Sequence, residues 1–199
     1  MSFQTISPAA IVHHPLEIPT DIFGQDSLRE TIKEKILLEG QGEAVEISEE
    51  YPIPILMIVF DFIHRVSPEM VLRLKSGQRV LLFEHWGTPV LRDKDICLIE
   101  KTRKDKKSSE KSSEEFIPEL IIDLGKIWQE TKTTENELES IKKALSTVEK
   151  LIKPSFVTTL VGKAPPLLFL FTQHLLYGRT GEIWYQESLT HSGIRITQL

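Results

Sequence analysis

Gly162-Lys163-Ala164-Pro165-Pro166-Leu167-Leu168-Phe169-Leu170-Phe171-Thr172-Gln173-His174-Leu175-Leu176-Tyr177-Gly178, followed by Glu182-Ile183-Trp184-Tyr185-Gln186, carries the strongest structural signal in the chain. A glycine turn precedes two prolines, whose fixed φ and missing N–H suit the first turn of a helix. The run that follows is apolar on nearly every face, so the helix it forms is buried. Gly178 then turns the chain into a short strand, and Phe156 to Val161, β-branched and apolar, forms a strand that leads in. A weaker copy lies earlier. Pro52-Ile53-Pro54 opens the run Ile55 to Ile63, His64 follows, and the strand-like Arg79 to Glu84 comes later. The pattern of Ile53 to Arg65 leaves helix and strand both open, and its length favours a helix. Strand, buried helix, strand, strand is the order of an α/β (or α+β) fold, a mixed sheet covered by helices.

A chain of 199 residues with 40% hydrophobic residues holds one substantial core or two small ones. Its formal charge of −5 excludes a surface given over wholly to nucleic acid, which needs a clustered excess of Lys and Arg. Cys97 is the one cysteine, so no intramolecular disulfide forms, and a reducing, cytoplasmic setting is expected. Met1 to Thr20 lacks the basic start and apolar core of a signal peptide. The longest apolar runs, Ile53 to Phe60 and Pro165 to Phe171, fall well short of the roughly 20 residues that span a bilayer, so no membrane contact is expected.

In chain order, residues 1–100 read as an N-terminal α/β half, 101–115 as a charged flexible linker, 116–153 as a helical hairpin inserted after it, and 154–199 as a strand-helix-strand segment completing the sheet. Ser2 to Thr20 suits an arm with an edge strand near Ala9 to His13, and the adjacent His13 and His14 point to opposite faces rather than to one ion. Ser27 and Glu30 stand in capping-box register before a helix that ends at Gly40. Ala44 to Ile47 reads as a strand. Ser67-Pro68-Glu69 has the form of a second helix start, with Gly77 as its end. Arg79 to Glu84 and Asp95 to Glu100 would pair as a long-looped hairpin. Asp93 and Asp95 read as a solvated turn, with a cation site as the sharper alternative.

Lys101 to Glu115 has no apolar residue and reads as a tether, its basic half lacking the aromatics that stack on bases. Pro118 is expected to start a helix bearing Ile117, Leu120, Ile121, Leu124, Ile127 and Trp128. Thr133 or Thr134 would recap a second helix, in which Leu138, Ile141, Leu145, Val148 and Ile152 recur at three and four residues. Two heptads are too short to stand alone, so this stripe packs inside the chain or contacts a protein partner or a second copy. Gly193 to Gln198 alternates as a last strand.

No zinc helix, phosphate loop, dinucleotide fingerprint or nucleophile elbow occurs in the sequence. What remains are polar residues inside apolar runs. A buried imidazole needs partners, so His174 and His64 are the candidate catalytic residues, with Asp61 three residues before His64 as an orienting group. Glu84, at a strand end beside His85 and Trp86, is the third.

The opening stretch resembles the conserved end of a small CRISPR-associated ring nuclease family: a proline-led helix, His-Leu-Leu-Tyr-Gly, then an apolar strand. The resemblance covers about 35 residues and implies a compact α/β oligomer that binds or cleaves cyclic oligoadenylate in antiviral defence, typically with a divalent metal. The family's pattern has an Asp after the strand where this chain has Gln186, and a neutral amide serves neither as carboxylate ligand nor as base. The earlier copy keeps Glu84 after its strand and His64 at the matching helical place. Lys163, Tyr177 and Arg179 are the candidate ligand-binding residues, and no protein-held metal site is read from the sequence itself. Two functions follow: a non-catalytic interaction or regulatory protein with a helical contact surface, or, as the alternative, a ring-nuclease-like protein acting on cyclic oligoadenylate.

Overall fold

In the computed structural model, which describes residues 14–18, 28–39, 44–67, 69–84, 117–133 and 136–197, the chain builds two four-stranded mixed sheets with helices packed on them. The first sheet holds β1 (His14–Pro15), β2 (Val45–Ser48), β3 (Glu69–Arg73) and β4 (Arg79–Glu84); the second holds β5 (Ile117–Asp123), β6 (Ser155–Val161), β7 (Thr180–Gln186) and β8 (Ile194–Arg195). Each sheet follows sequence order, with three parallel strands and an antiparallel fourth. Parallel neighbours need a crossover. These contain α1 (Leu28–Glu39) and α2 (Ile53–Val66) in the first half, and α3 (Leu124–Thr131), α4 (Glu137–Leu151) and α5 (Pro166–Leu176) in the second.

The two halves repeat one plan, most closely at α2 and α5. Each runs from the carboxyl end of a sheet's second strand to the start of its third, and each is N-capped by a proline of nearly the same conformation. Pro52 has φ −53° and ψ 142°; Pro165 has φ −57° and ψ 144°. Neither cap offers a side-chain acceptor, so these helices are held by burial. Ile55, Leu56, Met57, Ile58, Val59, Phe60 and Ile63 on α2, and Leu167, Leu168, Phe169, Leu170 and Phe171 on α5, all lie in one core shared by both halves. Each large apolar side chain so buried contributes about 1.5–3 kcal/mol against exposure.

Helices α2 and α5 pack against each other. The Gln173 amide nitrogen donates to the Met57 carbonyl at 3.0 Å. Further along both helices, the His64 and Tyr177 rings sit 4.7 Å apart between centroids. Met57 precedes His64 as Gln173 precedes Tyr177, so the helices run side by side in the same sense, and the carboxyl edges of both sheets lie at one end of the molecule.

Four expectations change. Ser67-Pro68-Glu69 does not start a helix: Ser67 closes α2, its N–H bonded to the Ile63 carbonyl, and Glu69–Arg73 is strand β3. Gly77 is the turn of the β3–β4 hairpin, at φ +81°. Pro118 does not start a helix either. Ile117–Asp123 is edge strand β5, where a proline is tolerated, and α3 begins only after Asp123. The second helix is capped by Asn136, not by a threonine. The stripe on α4 faces inward, with Ile141, Leu145, Val148 and Ile152 buried in the core and Leu138 packed against it, so this face is not offered to a protein partner. The expected strands Ala9 to His13 and Asp95 to Glu100, with them His13 of the His13-His14 pair, and Asp93, Asp95, Cys97 and the 101–115 tether lie outside the described residues.

Candidate functional site

The six residues singled out in the sequence separate into two groups. His64, His174 and Tyr177 stand at the C-terminal ends of α2 and α5, at the amino end of the parallel strands. Arg179 is there too, exposed, with its backbone bonded to Leu176 and Ser155. Glu84 ends β4, opposite Glu69 at the start of β3. Lys163 lies at the other end of the fold, in the turn between β6 and α5.

At the amino end the rings form one packed cluster. His64 meets Phe83 at 4.9 Å, His174 at 5.6 Å and Phe60 at 5.8 Å between centroids. Phe60 stacks on Tyr177 at 6.0 Å and 11°. Counting from the capping prolines, Pro52 to His64 and Pro165 to Tyr177 each span twelve residues, while Pro52 to Asp61 and Pro165 to His174 each span nine. The counterpart of His64 in the second half is therefore Tyr177 and not His174, because α5 ends a turn earlier in its own numbering than α2 does. The two counterparts touch, as residues near a pseudo-twofold axis do.

A buried polar chain ties this cluster together. Asp61 is wholly buried and accepts from Arg29 Nη2 at 3.0 Å and Arg65 Nη2 at 3.2 Å. Arg29 also donates to the Ile196 carbonyl and lies 4.6 Å over the Phe62 ring. The Gln173 amide, besides Met57, reaches the Tyr177 hydroxyl at 3.3 Å. Burial pushes the Tyr177 phenol far above its ordinary value of 10.0, and the charge of Asp61 pushes it further. Gln173 Oε1 and Thr172 Oγ1, both buried on α5, have no hydrogen-bond partner among the described residues.

The carboxyl edge is built differently. Gly162, at φ +100°, turns β6 into α5, and Asp123 caps α3 through a 2.8 Å bond from Lys126 N to Asp123 Oδ1. These two turns cross in backbone contact. A Cβ at Gly162 would lie 2.7 Å from Gly125 N, and one at Gly125 would lie 2.8 Å from Lys163 N. Only glycine fits either place. Lys126 and Lys163 flank the crossing, both exposed, and Lys163 pairs with Glu187 at 3.0 Å, which holds the Glu187 carboxyl below its ordinary range. At the same end of the first sheet is a cavity of about 580 Å³ lined by Leu16, Ser48, Glu50, Tyr51, Pro52 and Arg73 among others. Open parallel sheets bind ligands outside the carboxyl ends of their strands.

Asp123, Gly125 and Lys126 went unnoticed in the sequence because Ile117 to Trp128 reads as one continuous helix. The signal was Asp-x-Gly-Lys directly after an apolar run. Among the described residues, no three His, Cys, Asp or Glu side chains are grouped to hold a metal ion. No helix among them is long and apolar enough to cross a membrane.

The fold and its two ends define a duplicated α/β protein with paired carboxyl edges. No protein-family model matches the sequence, and no curated protein matches it. Among solved structures, the chain is similar to the Acinetobacter baumannii Cap4 SAVED/CARF-domain containing receptor. With the cyclic trinucleotide 3'3'3'-cAAA bound, that structure aligns at 16% identity and a TM-score of 0.40, over 86% of this chain and 40% of that one. With 2'3'3'-cAAA the values are 12% and 0.44, over 87% and 43%. The chain thus spans about two fifths of the length of those receptors.

Proposed function

We propose that this chain is a non-catalytic regulatory module that binds a cyclic oligonucleotide at the shared carboxyl edge of its two sheets. The duplication carries the reading. A cyclic oligonucleotide is a ring of repeated phosphates and bases, and a protein of two like halves facing one way offers it two like docking edges. Where the two glycine turns cross, Lys126 and Lys163 supply exposed positive charge at this edge. The resemblance of the α5 stretch to proteins that act on cyclic oligoadenylate points to the same ligand class. Against turnover stand Gln186 in place of an acid, and the placing of His64 and His174 in an aromatic cluster at the opposite end from the crossing.

The test is equilibrium binding of fluorescent cyclic tri- and tetra-adenylate, with chromatography of the unlabelled rings after long incubation. Saturable binding that weakens at least tenfold in Lys163→Glu, stays within about twofold in His174→Ala, and yields no linear product supports the module. Linear product that vanishes in His174→Ala supports the nuclease and ends this reading.

A further inference from the structure

At the end of the molecule away from the carboxyl edge, α1 and α2 enclose a second cavity of about 320 Å³. Three cationic side chains, Arg29, Lys33 and Arg65, meet an apolar wall of Ile36, Phe62 and Val66. Beneath them the Asp61 carboxylate gives one oxygen to each guanidinium. Two arginines therefore share one carboxylate, which leaves a full positive charge without a buried counter-ion. Lys33 is only loosely offset by Glu30 at 3.8 Å, both largely exposed.

The arginines are set in place rather than waving in solvent. Arg29 is fixed by Asp61, by the Ile196 carbonyl and by the Phe62 face. Arg65 is fixed at one nitrogen by Asp61 and stays 44% exposed. Among the described residues its other guanidinium donors make no bond. A guanidinium held by a carboxylate behind and open in front is a preorganised receptor for a planar or tetrahedral anion. The volume sits at the small end of ligand sites, and the apolar wall takes a hydrocarbon body rather than a hydrated ion.

We infer that this cavity binds a small organic anion, a single carboxylate or phosphate head on an apolar body, with the head on Arg65 and Arg29 and the body against Phe62 and Val66. The site stands apart from the carboxyl edge and does not depend on what binds there.

Phenyl phosphate and benzoate, titrated separately into the full chain with sodium chloride at matched ionic strength as control, test it by amide nuclear magnetic resonance shifts. Saturable shifts at Phe62 and Val66 with at least one probe, absent with sodium chloride, are expected, and the better probe identifies the head group. Arg65→Gln should weaken that probe at least tenfold. Glu30→Gln, which removes an acid at the rim without touching the Asp61 pairs, should tighten it two- to threefold, a direction that a damaged fold does not produce. Shifts that track ionic strength alone, or equal affinity in Arg65→Gln, overturn the inference.

Discussion

Asp61 is the residue on which most polar contacts converge. Its carboxylate is the counter-charge for Arg29 and Arg65, and removing it leaves two guanidinium groups facing one another. Breaking a buried pair costs more than never having made it. Asp61→Asn should lower the free energy of unfolding by about 3 kcal/mol in urea titration; a loss under about 0.5 kcal/mol would mean that solvent already screens the cluster. Tyr177 gives a prediction that depends on pH. Its folded pKa lies above the unfolded value of 10.0, so the fold keeps a proton that the unfolded chain releases. That contribution is complete below pH 10 and is lost as pH climbs from there toward the folded value. The stabilities of the wild type and of Tyr177→Phe should therefore run parallel with pH up to about 10, with the wild type falling relative to the variant above it. Parallel curves throughout would show that the phenol is not buried. At this scale the sequence was partly legible. Asp61 and His64 stand out as polar letters in an apolar run, but nothing local marks Arg29, because its partners Asp61 and Ile196 are distant in the chain.

At the scale of elements, the signals that held were those with a single physical meaning. Paired prolines before long apolar runs opened α2 and α5, where the length of the run excludes an edge strand and leaves the first helical turn as the place for them. The signals that failed had two meanings. Ser67 looked like a cap, yet its hydroxyl donates to the Glu69 carbonyl in the turn into β3. The spacing of Ile117, Leu120, Ile121 and Leu124 fits a helix face, but Ile121 is 53% exposed and Ile122 buried, the alternation of a half-covered strand. Glycines divide in the same way. Gly77 and Gly162 both need positive φ, but a Cβ at Gly77 meets nothing within 4 Å, whereas at Gly162 it strikes the backbone of Gly125. Gly77→Ala should cost about 1 kcal/mol, the left-handed penalty alone. Gly162→Ala should cost about 3 kcal/mol, because the β6–α5 turn must also move off the β5–α3 turn. Equal losses in thermal or urea unfolding would show that the two turns do not cross closely.

For the whole molecule, the repeat was visible in the sequence only as two proline-led runs; that they lie against one another, in the same sense, was not, because nothing local specifies which buried faces meet. Phe60 is the measure of that contact. It belongs to α2, is 1% exposed, and packs on His174 and Tyr177 of the second half as well as on Phe83 of its own sheet. Truncating such a ring costs about 3–5 kcal/mol. If the shared core makes the halves one cooperative unit, that loss is felt by both. In a Trp86→Phe background the remaining tryptophans, Trp128 and Trp184, both belong to the second half, while far-ultraviolet circular dichroism reports on helices of both. Phe60→Ala should therefore shift the tryptophan and dichroism midpoints together, to the same lower urea concentration. If the tryptophan transition stays at its wild-type midpoint while dichroism splits into two steps, each half folds alone, and the pairing of carboxyl edges on which the ligand proposal depends is not enforced by the core.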